Sequence, residues 1–135
     1  MKKMFGLLFG AVLLNACIPQ EELNGVSTDA ARYQYEGEFR TIPTVRRLWQ
    51  NPDDVVQFYL EGSEAGDIEI RKMKTDRGLL LLMTAIGYAD DSVGGEQWRI
   101  MLNGTEGTWG ITTAEKRFLC QRGPNAGQWV ATLCP

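Results

Sequence analysis

Histidine is missing from all 135 residues, and much of the usual chemistry of small enzymes goes with it. No Ser-His-Asp or Cys-His relay can be built, no imidazole can ligate zinc, and no side chain shuttles protons by imidazole at neutral pH. Any catalysis would fall to carboxylates, Tyr, Lys or Ser alone. Cysteine is scarce: there are three, no two of them in CxxC spacing, which argues against thioredoxin-like redox work. No apolar run is long enough to span a bilayer either. The longest, Met4 to Leu14, holds about 11 residues, against the roughly 20 that a membrane-crossing helix needs. Beyond Lys2 and Lys3, positive charge is scattered, with Arg46-Arg47 and Arg71-Lys72-Met73-Lys74 as the only local clusters, both flanked by acids, and the formal net charge is -3. A nucleic-acid interface would show a basic face instead.

What is present begins with Lys2 and Lys3, the short apolar core, and then Leu14-Asn15-Ala16-Cys17. A basic amino end before such a core reads as a secretory signal, with the lysines holding that end on the cytoplasmic side. The ending resembles the lipobox of bacterial lipoprotein signal peptides. In that motif an aliphatic, a variable and a small residue precede the cysteine that is lipidated; Leu14, Ala16 and Cys17 stand in those places, and Asn15 is a less usual choice at its own. The resemblance implies cleavage between Ala16 and Cys17, a diacylglyceryl thioether on Cys17 and an acyl chain such as palmitate on the freed amine. At ~0.8 kcal/mol per buried methylene, two or more chains hold a small domain stably where one binds reversibly. Ile18 stands where many Gram-negative lipoproteins carry the Asp that favours inner-membrane retention, which points to the periplasmic face of the outer membrane. A Gram-positive host would leave the domain on the outer face of its single membrane, and simple secretion with nearby cleavage is the alternative.

Removing residues 1-16 from the 135 leaves 119, enough for one domain with one hydrophobic core. Loss of Lys2 and Lys3 takes the 14 basic side chains to 12 against 17 acidic, a net charge near -5. With Cys17 assigned to lipid and the chain in an oxidising compartment, Cys120 and Cys134 are expected to form a disulfide. It would close a C-terminal loop of about 15 residues and stabilise by roughly 3 kcal/mol in the chain-entropy model.

Residues 17-41 read as the lipidated end and a tether: Pro19, Gly25, Gly37 and many polar side chains, with Tyr33, Tyr35 and Phe39 packing as an extended segment in its later part. The domain is expected over 42-135. Val45, Leu48 and Trp49 fall at i, i+3, i+4, so a short helix is predicted from Thr44, stopped by Pro52. Asp53 or Asp54 then caps a second helix through Val55, Phe58 and Tyr59 that ends at Gly62, with a strand over Val55 to Leu60 as the alternative. Beyond Gly66 the period changes to two. Ile68, Ile70 and Lys72 mark an edge strand, Asp76-Arg77-Gly78 a hairpin turn, and Leu79 to Tyr88 a central strand covered on both faces. Asp90 to Gly95 reads as a loop, Gln97 to Leu102 as the next strand, Asn103-Gly104 as a turn and Thr108 to Thr113 as the fourth strand, continued or followed by a fifth over Lys116 to Cys120. The fold class is α+β: one or two N-terminal helices on a four- to five-stranded antiparallel sheet, with a C-terminal disulfide loop.

Candidate chemistry is thin. Asp90, Asp91 and Glu96 place three carboxylates within seven residues, enough in principle for a hard cation or an acid-base pair. The spacing is not that of an EF-hand, and a capped, solvent-facing turn explains it as well. Trp98 and Trp109 are expected to face each other across a hairpin, and Trp129 in the disulfide loop to be the exposed ring. Arg122, beside Gly123, could hold an anion, but tight-turn chemistry accounts for the segment equally. Asn103-Gly104-Thr105 fits a glycosylation acceptor pattern and needs no such role as a turn. No catalytic, cofactor or metal residue is assigned.

The order Pro52-Asp53-Asp54-Val55-Val56-Gln57-Phe58-Tyr59, then Ala89-Asp90-Asp91-Ser92-Val93, Trp98, Trp109, Cys120-Gln121-Arg122-Gly123, Trp129 and Cys134 resembles a recurrent type of small exported bacterial protein without an assigned activity. The helix-then-sheet order is also similar to cystatin-like and NTF2-like domains, as an analogy of element order that carries no catalytic residue. The sequence therefore supports a membrane-anchored envelope lipoprotein acting as a non-enzymatic module for an envelope protein or glycan partner, with no role on nucleic acid. A carboxylate-dependent glycan-acting enzyme and a purely structural envelope protein remain the alternatives.

Overall fold

A computed structural model describes residues 33-135; the lipobox, Cys17 and the rest of the signal and early tether lie outside the described residues. Tyr33 to Pro135 forms one compact unit. Its elements are β1 (Arg40–Thr41), α1 (Pro52–Leu60), β2 (Asp67–Thr75), β3 (Gly78–Ile86), β4 (Val93–Asn103), β5 (Gly110–Cys120) and β6 (Trp129–Val130). All six strands join one antiparallel sheet in the order β1-β5-β4-β3-β2, with β6 also on β5.

The β2–β3 hairpin follows the expected turn. Thr75 pairs with Gly78, and the Thr75 hydroxyl donates to the Gly78 carbonyl at 2.9 Å and accepts from Arg77 N–H at 3.2 Å. Gly78 is required there: its φ is +135°, and a Cβ would lie 2.2 Å from the Leu102 carbonyl oxygen. β5 is a single strand rather than two, and β4 starts at Val93, inside the expected Asp90 to Gly95 loop. Two irregularities bend this pair, at Val93/Gly95 and at Met101/Leu102, so that neighbouring side chains are re-aimed while the ladder continues.

Among the described residues there is one helix, and it departs from expectation at both ends of its story. Residues 44-49 are not helical. Pro43 and Pro52 bracket a stretch too short to meet the nucleation penalty of a helix, and Trp49 instead bridges Trp109, with N–H to carbonyl distances of 2.8 and 3.1 Å. Val45 and Trp49 still reach the core, while Leu48 stays exposed. The cap of α1 is Asn51, not Asp53 or Asp54. Asn51 Oδ1 accepts from Asp54 N–H at 3.1 Å, Asp54 Oδ2 accepts from Asn51 N–H at 3.3 Å, and Pro52 occupies the first turn.

Alternation gives the sheet two covered faces. On the helix side Leu81, Met83 and Ala85 of β3 meet Trp98, Ile100 and Leu102 of β4, with Ala114 of β5, under Val55, Val56 and Trp49. Trp98 stands opposite Lys116, so the expected Trp98–Trp109 pair does not exist. The opposite face carries Leu82 with the buried polar side chains Thr84, Gln97 and Arg117. It is covered by an extended strap, residues 33-39, counted by sequence as tether. Arg117 donates to the carbonyls of Gln34 and Glu36 (2.7 Å to Glu36), Arg99 to that of Tyr35 at 3.1 Å, and both guanidiniums stack on Phe39 at 4.3 and 3.9 Å. Tyr35 hydrogen-bonds Thr84, and Tyr33 donates to Asp67 at 2.7 Å.

Cys120 and Cys134 are disulfide-bonded, with Cα atoms 5.3 Å apart. Between them the chain turns back so that Gly127 N–H reaches the Cys120 carbonyl at 2.7 Å and β6 lies along β5 at Phe118 and Leu119.

Candidate functional site

Below the end of α1 the helix-side face of the sheet is left open, forming a groove of about 1030 Å³. Strand alternation puts its chemistry there. Glu96 and Trp98 are two apart on β4, Lys116 and Phe118 two apart on β5, and the ladder sets Glu96 opposite Phe118 and Trp98 opposite Lys116. Acid and base therefore lie on a diagonal, each beside the other's aromatic neighbour. Lys116 Nζ pairs with Glu96 Oε1 at 2.5 Å and stands 5.0 Å from the Trp98 ring centre and 5.1 Å from that of Phe118. Both charged side chains are about four-fifths covered, so the pair is shielded more than a surface bridge.

Two further groups close the network. Tyr88, from the β3–β4 connection, donates to Glu96 Oε2 at 2.8 Å, and Ser63, just past α1, lies 3.4 Å from the Tyr88 hydroxyl. Burial first, and the Glu96 carboxylate second, push the Tyr88 phenol well above its ordinary pKa of 10.0. Tyr59 lines the same groove; its hydroxyl is buried without a hydrogen-bond partner among the described residues, and burial raises its pKa too. Arg40 of β1 sits 5.9 Å over Phe118, and the acidic rim is made by Glu61, Glu64 and Asp90.

The residues singled out by sequence are mostly not brought together. Asp90 borders the groove, but its carboxylate is turned onto its own loop, accepting from the N–H groups of Ser92 at 2.6 Å and Val93 at 2.8 Å. Those bonds, with Arg122 nearby, hold its pKa below the usual carboxylate value. It is the capped turn weighed against the metal reading. Asp91 is exposed, and no three acidic or cysteine side chains gather as a metal site among the described residues. Arg122 donates to the Pro135 carbonyl oxygen at 3.1 Å. Trp129 is half-buried rather than exposed, on the strap side, 5.5 Å from the Arg117 guanidinium and against Gly95. Of the five, Glu96 alone belongs to the network.

Sequence reasoning missed Ser63 and Lys116, and weighed Tyr88 only as an aromatic ring that could line a groove. For Lys116 the signal was present as two acid-or-base/aromatic pairs at i, i+2, Glu96-Trp98 and Lys116-Phe118, each a single-face repeat of a strand. The arginine pair of the other face was missed as well. Burial and repulsion from Arg99 lower the Arg117 pKa from 12.5 to about 10, and burial raises that of Tyr35 to about 12.

Compared with protein families, with curated proteins and with solved structures, the chain matches none. The likenesses suggested by sequence therefore bring no residue roles to this groove.

Proposed function

We propose that the chain is an exported, lipid-anchored envelope protein whose domain binds a segment of a partner protein in the groove beside α1. The observation that carries this reading is the Lys116–Glu96–Tyr88–Ser63 network, with Glu96 and Lys116 on neighbouring strands, lining an open groove that Tyr59, whose buried hydroxyl has no hydrogen-bond partner among the described residues, also lines. Basic groups, Arg40 and Lys116, and acidic ones, Glu61, Glu64 and Asp90, line the same groove, which suits a chain segment bearing both signs. Trp98 and Phe118 are only 3% and 7% exposed, and cations cover their rings. Neither of these two rings offers the open stacking face that sugar rings need, which favours protein over glycan.

Binding rather than catalysis is supported by the carboxylates. Asp90 is committed to its turn and Glu96 to Lys116 and Tyr88, so these two carboxylates singled out by sequence are engaged elsewhere than as the acid and base that glycoside cleavage requires. The Cys120–Cys134 disulfide fits an oxidising compartment, and no helix among the described residues is long and apolar enough to cross a membrane. Export and anchoring rest on the lipobox-like Leu14-Asn15-Ala16-Cys17.

A photo-crosslinking residue in place of Leu133, which lies on the groove rim and is 69% exposed, tests the site in the full chain expressed in bacteria. A discrete adduct is expected from position 133, not from position 106 in the exposed turn between β4 and β5, which does not line the groove, and it should vanish with Lys116→Glu. Equal adducts from both positions, or indifference to Lys116→Glu, would sink the groove; collapse of the adduct on muralytic digestion would replace protein by glycan. Intact mass of the membrane-extracted protein tests the anchor independently, since a mature chain without acyl mass on Cys17 removes it.

A further inference from the structure

The sheet ends at β2, and among the described residues no strand pairs with its outer edge. This edge is nine residues long, Asp67–Thr75, and an open edge of that length is a template for another strand. Natural edges are blunted by charge, and here the charge is ordered along the strand. The first half carries Asp67 and Glu69, the second Arg71, Lys72 and Lys74. Alternation divides the strand between faces: Ile68, Ile70 and Lys72 on the helix side, Asp67, Glu69, Arg71 and Met73 on the strap side. Ile68 and Ile70 are 45% and 43% exposed, beside the exposed Phe58 along a second groove.

We propose that β2 pairs antiparallel with β2 of a second copy of this chain, about a two-fold axis at Ile70, extending the sheet across both molecules. An acidic-then-basic strand is complementary to its own reverse, and the register fixes how. With Ile70 facing Ile70 of the other copy, Glu69 stands opposite Arg71 and Arg71 opposite Glu69, on one face. Ile68 faces Lys72, whose methylene stem covers it, and Asp67 faces Met73. Moving the axis by one residue places Arg71 against Arg71, or Glu69 against Glu69, at the centre of the interface. Within one chain Glu69 and Arg71 already form an ion pair along the strand, so dimerisation converts two such pairs into a four-membered ring of alternating charge. Ile70 and Ile68 lose water on the opposite face, and the exposed edge groups of β2 gain ladder partners.

The two-fold makes the test unusually specific. Glu69→Arg alone sets Arg against Arg twice, Arg71→Glu alone sets Glu against Glu twice, but a mixture of the two chains restores both opposite-charge pairs in the heterodimer. Sedimentation velocity of the detergent-solubilised full chain should show dimer for wild type. Each single variant should dissociate on the order of tenfold more readily, since directly opposed like charges weaken strand pairing. The equimolar mixture and the Glu69→Arg/Arg71→Glu double variant should return to the wild-type dissociation constant. A wild type that is monomeric at all concentrations reached, single variants that dimerise as wild type does, or a mixture that fails to recover would each overturn the pairing. Both side chains are partly exposed, and rescue by mixing two defective chains excludes a folding defect as the cause.

Discussion

Replacing Arg117 by Met separates what a buried charge does for the strap from what it does for the sheet. The Arg117 residue is 5% exposed, and it reaches three acceptors: Gln97 Oε1 at 2.7 Å and the carbonyls of Glu36 and Gln34. Hydrogen bonds to charged groups are worth about 1.5–3 kcal/mol net. The strap acceptors belong to exposed residues, so the lower end applies, and two such bonds contribute roughly 3 kcal/mol to holding residues 33-39. Against this stands the charge itself. No carboxylate pairs with Arg117 among the described residues, and its pKa is lowered to about 10 by burial and by Arg99. A guanidinium so placed is disfavoured by the fold, and an apolar side chain of similar length removes that penalty. Arg117→Met is therefore expected to lower amide-exchange protection of residues 35-40 by about 100-fold, while the urea midpoint of the sheet shifts by no more than about 1 kcal/mol equivalent. Hydrogen exchange read on peptides covering the strap and β5 separates the two. Unchanged strap protection would refute the clasp, and a joint loss of more than about 3 kcal/mol in strap and sheet would show that the charge supports the core itself.

Alkaline pH probes the buried phenols. Tyr35, raised to about 12, and Tyr88, raised further, have folded pKa values above their unfolded ones, so their stabilisation is complete below pH 10 and is lost as pH rises through 10 to 12. Arg117, lowered to about 10, acts in the opposite sense over the same window, one group against three, since burial raises Tyr59 as well. Stability should therefore fall between about pH 10 and about pH 12, and Tyr88→Phe should flatten that fall in urea titrations; an unchanged slope would count against the buried phenol. Cys134→Ser opens a disulfide spanning 14 positions and should cost about 3 kcal/mol, lowering Tm by roughly 10 °C and exposing residues 121-135 to limited proteolysis. An unaltered Tm would mean the tail is held by β6 alone. Asn51→Ala removes the α1 cap and should cost about 1 kcal/mol in urea unfolding, recovered by Asn51→Asp; no loss would place helix stability wholly in packing.

The parts legible in sequence were those whose partners lie nearby. Ile68 and Ile70 alternating before Asp76-Arg77-Gly78 identify the β2–β3 hairpin, and the run from Leu79 reads correctly as a strand covered twice. For residues 33-39 the alternation of Tyr33, Tyr35 and Phe39 with Gln34, Glu36 and Glu38 shows an extended segment that packs, but not its seat, because its partners Arg99 and Arg117 stand 64 to 83 positions away. Thr44 to Trp49 misleads for another reason: i, i+3, i+4 spacing over a single turn is also met by an extended segment that buries alternate sides. At the groove, Glu96 was visible as an acid, whereas Lys116 becomes its partner only through a register set by two bulges.

β5 also fixes the order in which the molecule can be completed. Its outer edge is shared end to end by β1, opposite Glu115 and Lys116, and β6, opposite Phe118 and Leu119, while Arg117 between them clasps the strap. A chain made from its amino end therefore presents the strap and β1 long before anything exists to receive them. Asp67, Thr84 and Arg99 offer the strap partial support earlier, but β1 stays unpaired and the Arg117 clasp unmade until β5 emerges. Pairing of β1, the Arg117 clasp and closure at Cys120–Cys134 thus all wait on one strand, and a chain cut short before β5 would lose the hold on its beginning as well as its end.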